Sequence, residues 1–217
     1  MRVPVIENYS KELLFTTLAI AKPCPIERQV IVLNDKDKYK LIKKVEQIVR
    51  SSTEYKQYIK FLKDEIDMTC CAFFNNINRD ETTKVKFEIH HEPFTLFDIT
   101  DAVVSSYINN DKPLNPLLLA EEVMKLHYSN MVGLIPLSNT CHGLVHDGRL
   151  FIPLQCVYGD YLEFIDAYYD SISDDIKSML QEKISMSKEI QNVDMSILSK
   201  KYVYLDVDGF MLPQKIE

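Results

Sequence analysis

Several common signals are missing from this chain of 217 residues. It contains only five glycines, and none of them forms the glycine-rich loop that cradles a phosphate group. No apolar run approaches the roughly 20 residues of a membrane-spanning helix, and no secretory apolar segment follows the first residues. Five cysteines without C-x-x-C spacing argue against a thiolate zinc finger and favour buried thiols over a disulfide framework. We therefore expect a globular cytosolic protein.

Charge is distributed unevenly along the chain. Residues 1–66 carry thirteen basic against nine acidic side chains, whereas residues 67–217 carry twelve against twenty-three. Phosphate contacts come mainly from Lys and Arg, so the acidic majority argues against indiscriminate binding to duplex DNA. The basic residues of two predicted helices near 36–63 form either a solvated helical face, which we favour, or a local contact with DNA. They are Lys36, Lys38, Lys40, Lys43, Lys44, Arg50, Lys56, Lys60 and Lys63.

The pattern of apolar residues predicts an α+β chain in which helices surround a short extended region. The predicted helices are Leu41–Val49, Tyr55–Ile66, Leu96–Ile108, Pro116–Tyr128, Thr140–His146, Tyr161–Ile172 and Asp174–Ile190. The predicted strands are Gln29–Leu33, Thr69–Phe74, Val85–His90, Val132–Leu137, Leu150–Val157 and Tyr202–Leu205, with turns at 75–80 and 206–209. The second and third strands are predicted to form a hairpin.

Histidine is scarce and concentrated, because all five histidines lie between His90 and His146. His142 and His146 are four residues apart on a predicted helix, so both imidazoles lie on one face and can grip one metal ion. His90 and His91 end a predicted strand, whose alternation points them to opposite faces. Pro93 ends the strand just beyond, and we expect the chain to turn so that both rings reach one site.

Two neighbouring residues have a simpler interpretation. His127 lies on the apolar side of the helix predicted at Pro116–Tyr128, so we expect a core histidine rather than a ligand. Cys141 stands beside a candidate ligand, but we expect a buried thiol in a helix.

Two segments together carry a resemblance to a known family. Ile89-His-His-Glu-Pro93 and Leu134-Ile-Pro-Leu-Ser-Asn-Thr-Cys-His-Gly-Leu-Val-His146 resemble the HNH, or ββα-metal, endonucleases in the His-His…His-x-x-x-His form of the colicin DNases. The chain also resembles open reading frames of large bacteriophages. The resemblance implies a ββα-metal core, a strand hairpin plus a short helix, at residues 68–158 with a helical insertion at 94–130. Helical extensions at 1–67 and 159–217 complete the expected organisation.

The resemblance also implies a set of roles. His90, His142 and His146 would hold one divalent ion, Zn or Ni when bound and Mg or Mn for activity, while His91 would be the general base in hydrolysis of DNA phosphodiester bonds. The asparagine that the family places between the histidine pairs falls on Gly133 here. The nearest asparagines are Asn130 and Asn139, and the candidates for hydrogen bonds to the imidazoles are Glu88 and Asp147.

A second hypothesis has no catalysis. In it the chain is an interaction or regulatory protein that keeps the metal core for stability and meets a protein partner through its acidic C-terminal helices. Under the first hypothesis the partner is DNA, contacted locally through the lysine-rich N-terminal helices. Under both hypotheses we expect the protein in the host cytoplasm, with no membrane partner.

Overall fold

A computed structural model describes residues 33–78 and 86–190 of the chain, and this part is a mostly helical α+β fold. Its helices are α1 (Asp35–Ser51), α2 (Thr53–Asp64), α3 (Leu96–Asn109), α4 (Pro116–Tyr128), α5 (Asn139–His146), α6 (Tyr161–Tyr168) and α7 (Asp174–Glu189). Its strands are β1 (Cys70–Cys71), β2 (Phe74–Asn78), β3 (Phe87–His91) and β4 (Leu134–Ser138). Short 3-10 turns lie at Leu154–Cys156 and Tyr169–Ser171. None of the helices within these two ranges has the length and apolarity of a membrane span.

Side-chain caps fix where the helices begin. The side chain of Asn34 accepts from the third backbone N–H of α1, Ser52 does the same for α2, and Thr95 forms a capping box with Asp98 at the start of α3. Such caps satisfy backbone donors that have no partner inside the helix. Because these signals are local, the predicted boundaries of α3, α4 and α7 are confirmed to within one residue.

The strands pair differently from the prediction. β1 pairs with β2, and β3 pairs with β4 in an antiparallel register that sets His90 opposite Ile135 and His91 opposite Leu134. The hairpin predicted between Thr69–Phe74 and Val85–His90 is therefore wrong. All five residues of β4 are buried and each pairs with one residue of β3, whereas β1 has only two residues to offer a partner.

Two further local predictions are corrected. The turn predicted at 75–80 is partly strand, because β2 continues to Asn78. The strand predicted at Leu150–Val157 contains a 3-10 turn instead, in which the amide of Cys156 donates to the carbonyl of Pro153. Pro153 has no N–H to give to a ladder, which disfavours a strand there. The predictions for Tyr202–Leu205, for the turn at 206–209 and for nearly all of Gln29–Leu33 lie outside the described residues.

A single cluster of buried apolar side chains links the helices to β4. Leu62 of α2, Val103 of α3, Leu119 of α4, Leu134 of β4 and Phe164 of α6 are each at most 1% exposed. Helix α5 is the exception, because only Cys141 among its eight residues is buried. This helix therefore lies at the margin of the core, against β3 and β4. The division of the chain near residues 67 and 158 stays a prediction.

Candidate metal centre

Strand β3 presents two sets of side chains to two different neighbours. Glu88 and His90 face α5, where Glu88 contacts His142 and the ring of His90 lies 5.1 Å from that of His142. His91 points the other way and contacts His127 of α4. This is the alternation of an extended strand, which sends successive side chains to opposite faces. It continues through the end of β3, so the strand separates the two adjacent histidines.

Three imidazoles converge between β3 and α5. His90, His142 and His146 each offer a ring nitrogen, and these atoms all lie within 4.8 Å of one another. The Nε2 atoms of His142 and His146 are 3.1 Å apart. Three nitrogens bound tetrahedrally to one ion at about 2.0–2.1 Å would be separated by about 3.3 Å. The described residues thus contain a group that can hold a metal ion, buried at His90 and open to solvent at His146.

Glu88 orients one of these rings. Its Oε2 lies 3.0 Å from Nδ1 of His142. A proton on Nδ1 donates to this carboxylate, which leaves the lone pair of Nε2 directed at the other imidazoles. The pKa of His142 is lowered from 6.5, chiefly by burial and also by His90 and His146, while Glu88 opposes that shift. A neutral ring with its lone pair available is the form that binds metal.

A second carboxylate lies on the same side of β3, and its part was missed in the sequence. Oε2 of Glu92 is 3.7 Å from Nε2 of His90, and its other oxygen pairs with Lys183 of α7. Glu92 is only 4% exposed, so its charge needs this partner. The alternation 88, 90, 92 would have found Glu92. No local signal could have found Lys183, which is 91 residues away.

A side-chain cap, a backbone hydrogen bond and a glycine hold α5 at its two ends. The side chain of Ser138 accepts from the amide of Cys141 at the start of the helix, and the amide of Asn139 donates to the carbonyl of Lys86 just before β3. Gly148 stops the helix, because its φ of +66° is a left-handed conformation that other residues rarely adopt. The predicted end near residues 147–148 is confirmed. These contacts place His142 and His146 over β3.

His91 lies in the core rather than at the cluster. Its Nε2 is 3.0 Å from Nε2 of His127, whose Nδ1 is 2.7 Å from the carbonyl oxygen of Val123. Nδ1 of His127 must donate to that carbonyl, so its Nε2 accepts a hydrogen bond from Nε2–H of His91, and both rings are neutral. Burial lowers the pKa of His91 well below 6.5. A ring so buried, with this nitrogen engaged by another imidazole, gives the general-base prediction no geometric support.

The expectation that His127 is a core histidine is confirmed. It is 1% exposed, and burial lowers its pKa to about 4. Tyr58 meets its ring edge-on at 5.4 Å between centroids, and Tyr55 does so at 5.7 Å. Tyr55 also stacks on His91 at 6.4 Å. Aromatic rings thus enclose the histidine pair on the side of β3 away from α5.

The remaining candidates take backbone roles. Asn130 follows α4 with φ 60°, and its carbonyl accepts from the amide of Asp160. Asn139 opens α5, and Asp147 is its C-cap. At Gly133 a Cβ atom would lie 1.8 Å from the carbonyl oxygen of Glu92, so only glycine fits. A side chain could not serve there as the middle asparagine of the HNH pattern.

Several of the lysines predicted as a DNA contact have partners within the protein. Lys38 pairs with Asp101 of α3 at 2.6 Å, and Lys43 pairs with Glu46 at 2.8 Å. Arg50 lies 3.8 Å from the same Glu46. These ion pairs are what a solvated helical face would show. A DNA contact and a protein partner both stay predictions.

Comparison with known proteins gives one decisive finding. Residues 11–209 match the family of bacteriophage G278-like virion proteins. The chain belongs to this family. The phage origin is thereby confirmed, and the protein is a component of the phage particle. No curated protein and no solved structure matches the chain.

Three predictions are overturned by this family. The HNH assignment is wrong, because residues 11–209 match a family of virion proteins. The predicted function, DNA hydrolysis, and the predicted location, the host cytoplasm, are wrong for the same reason. The prediction failed because the spacing of the histidines specifies metal ligands and does not specify a reaction. A strand histidine facing a helical His-x-x-x-His pair is the geometry of a three-histidine metal site, and nothing in that geometry specifies cleavage.

Proposed function

We propose that this virion protein is a metal-stabilised component of the phage particle, in which β3, β4 and α5 form a ββα metal-binding unit. The observation that supports the proposal is the convergence of His90, His142 and His146 from a strand and a helix that are far apart in sequence. An ion bound to all three would fasten α5 to β3. The role of the ion would be structural.

The ligand set favours zinc. Three imidazoles suit Zn²⁺ and Ni²⁺, whereas Mg²⁺ and Mn²⁺ prefer carboxylate, carbonyl and water oxygens. Zn²⁺ takes four ligands in a tetrahedron, so three protein nitrogens leave one position to a water molecule or to a group from a neighbouring protein. His146 stands in the last turn of α5, where the negative end of the helix dipole also favours a cation.

The two carboxylates complete the site in this proposal. Glu88 keeps the proton of His142 on Nδ1, so that Nε2 is free for the ion. Glu92, whose Oε2 lies 3.7 Å from Nε2 of His90, places a negative charge beside that ring on the buried side and is itself paired with Lys183. Such partners raise the basicity of a ligating ring and fix its orientation.

Helix α5 needs a fastening that the core does not supply. It has eight residues, fewer than the dozen or so that make an isolated helix marginally stable in water, and only Cys141 is fully buried. Burial therefore contributes little to its stability. The binding free energy of a metal that requires α5 in place would add directly to its folding.

The proposal is tested by metal content and by hydrogen exchange. The purified protein should carry one zinc or nickel ion per chain, and His142→Ala should lose it. Removing the ion with a chelator should abolish amide protection in α5, while α1 to α4 stay protected because their core is intact. Thr140→Ala, an exposed change in the same helix, is the matched control and should retain both the ion and the protection.

Two results would overturn the proposal. One is a protein that binds no transition metal even after refolding with zinc. The other is an α5 that exchanges at the same rate with and without the ion, which would show that the ion does not hold the helix.

A further inference from the structure

Two buried thiols touch each other beside the histidine cluster. The Sγ atoms of Cys71 and Cys141 are 3.7 Å apart, and each residue is 1% exposed. Cys71 ends β1, while Cys141 lies in the first turn of α5, next to His142. The two cysteines are 70 residues apart in sequence, so the contact is made by the fold.

Hydrogen bonds to β4 hold both cysteines in place. The amide of Ala72 donates to the carbonyl of Pro136 in β4 at 2.9 Å, which fixes the end of β1. Ser138, at the end of β4, caps α5 through the amide of Cys141. β4 thus positions both thiols, and neither depends on a metal ion to reach the other.

We propose that Cys71 and Cys141 form a disulfide when the phage particle leaves the reducing cytosol of its host. A disulfide requires a sulfur separation of about 2.05 Å, so each sulfur has to move by roughly 0.8 Å. A sulfur moves that far by a modest rotation about its own Cα–Cβ bond. Thiols stay reduced in the cytosol, whereas virion surfaces are among the places where disulfides form and persist.

A low-molecular-weight disulfide serves as the oxidant. The thiolate of one cysteine attacks a sulfur of the small disulfide, forms a mixed disulfide and releases one small thiolate. The second cysteine, as its thiolate, then attacks the protein sulfur of the mixed disulfide and releases the other small thiolate. The two protons lost by the cysteines end on the two released thiols. Two protein thiols are thereby oxidised by two electrons, and one small disulfide is reduced.

Burial sets the rate of this reaction, and the position of the bond sets its effect. The small disulfide reaches the pair only when β1 or α5 opens locally, so oxidation is slower than at an exposed thiol. Once formed, the bond links α5 to β1 across a loop of about 70 residues and restricts the unfolded chain. It fastens the helix that carries His142 and His146. This role is separate from that of the proposed metal, and either can be present without the other.

The test is a disulfide map of the full-length protein. The chain is incubated with oxidised glutathione near pH 8, unfolded, alkylated and digested without reduction. The expected result is a loss of two hydrogens from the intact mass and a peptide that joins Cys71 to Cys141, whether or not a chelator is present. The thermal midpoint should rise by roughly 5–10 °C and fall back on reduction.

Cys70→Ser is the matched control, because it removes the neighbouring thiol and should leave the linked peptide unchanged. The proposal is contradicted if Cys71 and Cys141 are both still alkylated after the oxidation. Cys70 and Cys71 lie on the same peptide, so the proposal is also contradicted if the link to Cys141 is lost in Cys70→Ser. An oxidation that stops at a glutathione adduct of either thiol contradicts it as well. The disulfide map itself is read from the wild-type chain, so the main result does not depend on the folding of any variant.

Discussion

Acidification should destabilise the protein through its buried pair of histidines. Nδ1 of His127 donates to the carbonyl of Val123, and its Nε2 accepts from His91, so both rings are neutral in the fold. Burial lowers the pKa of His127 from 6.5 to about 4 and holds that of His91 well below 6.5. A proton added to Nε2 of His127 would break the contact between the rings, because both Nε2 atoms would then be donors.

The direction of the effect follows from the two states. The folded pKa of His127 is lower than the unfolded one, so between pH 6.5 and about 4 the unfolded chain binds the extra proton. The stability is fully present above about pH 6.5 and is lost as the pH falls toward 4. For His127 alone, a change from pH 7.5 to 4.5 should lower the free energy of unfolding by about 2–3 kcal/mol. His91 adds to this loss in the same direction.

The assay is urea unfolding at several pH values with a chelator present throughout, so that metal binding does not change with pH. His127→Gln removes the titratable imidazole and supplies a side-chain amide oxygen that can accept a hydrogen bond from His91. The variant should be less stable than wild type at pH 7.5, and the difference should shrink by about 2–3 kcal/mol at pH 4.5. Parallel curves for the two proteins would refute the assignment of neutral, buried rings.

Four other substitutions probe the site and its surroundings. Gly133→Ala should lower the free energy of unfolding in chemical denaturation by about 1–3 kcal/mol or more, because its Cβ would lie 1.8 Å from the carbonyl oxygen of Glu92. The control is Gly143→Ala, where a Cβ has open space, and it should raise the free energy of unfolding by about 0.5–1 kcal/mol. Glu88→Ala should weaken zinc binding about tenfold in calorimetric titration, and an unchanged affinity would contradict its support of His142. Lys183→Met should cost on the order of 3 kcal/mol in urea unfolding, because a buried carboxylate loses its partner, and a neutral outcome would count against that pairing.

Local features of the fold were readable in the sequence. Helices such as α4 begin at an asparagine cap followed by Pro116, and these signals lie within a few residues of the boundary that they set. The spacing of His142 and His146 likewise defines one helical face without any knowledge of the fold. Their convergence with His90 was expected from the histidine pattern, and the structure brings the three together.

Features that depend on distant parts of the chain were not readable. The pairing of β3 with β4 joins segments separated by two helices, and the burial of β4 decides it. The partner of His91 is His127 of α4, a contact that alternation permits but does not identify. The expected turn after Pro93 would have brought His91 to the cluster, yet the packing of α2 and α4 against β3 keeps it in the core.

The biological role was the least accessible of all. The histidine pattern specifies three ligands for an ion and leaves a fourth position open, but a ligand set does not by itself specify a reaction. The resemblance to nucleases therefore predicted the three-histidine cluster, which the structure contains, together with DNA hydrolysis, which the family match contradicts. The surroundings of the proposed ion distinguish a structural role from a catalytic one. His91, the expected general base, is buried against His127, and α5 has little burial to stabilise it without an ion.

X-ray absorption at the metal edge is the most direct test of the central claim that His90, His142 and His146 hold one ion. The account predicts one zinc or nickel per chain with imidazole nitrogens at about 2.0–2.1 Å, and loss of the signal in His142→Ala. A shell of sulfur at about 2.3 Å would contradict it, because Cys141 and not the three histidines would then supply the ligand. A spectrum that is the same in wild type and His142→Ala would contradict it equally.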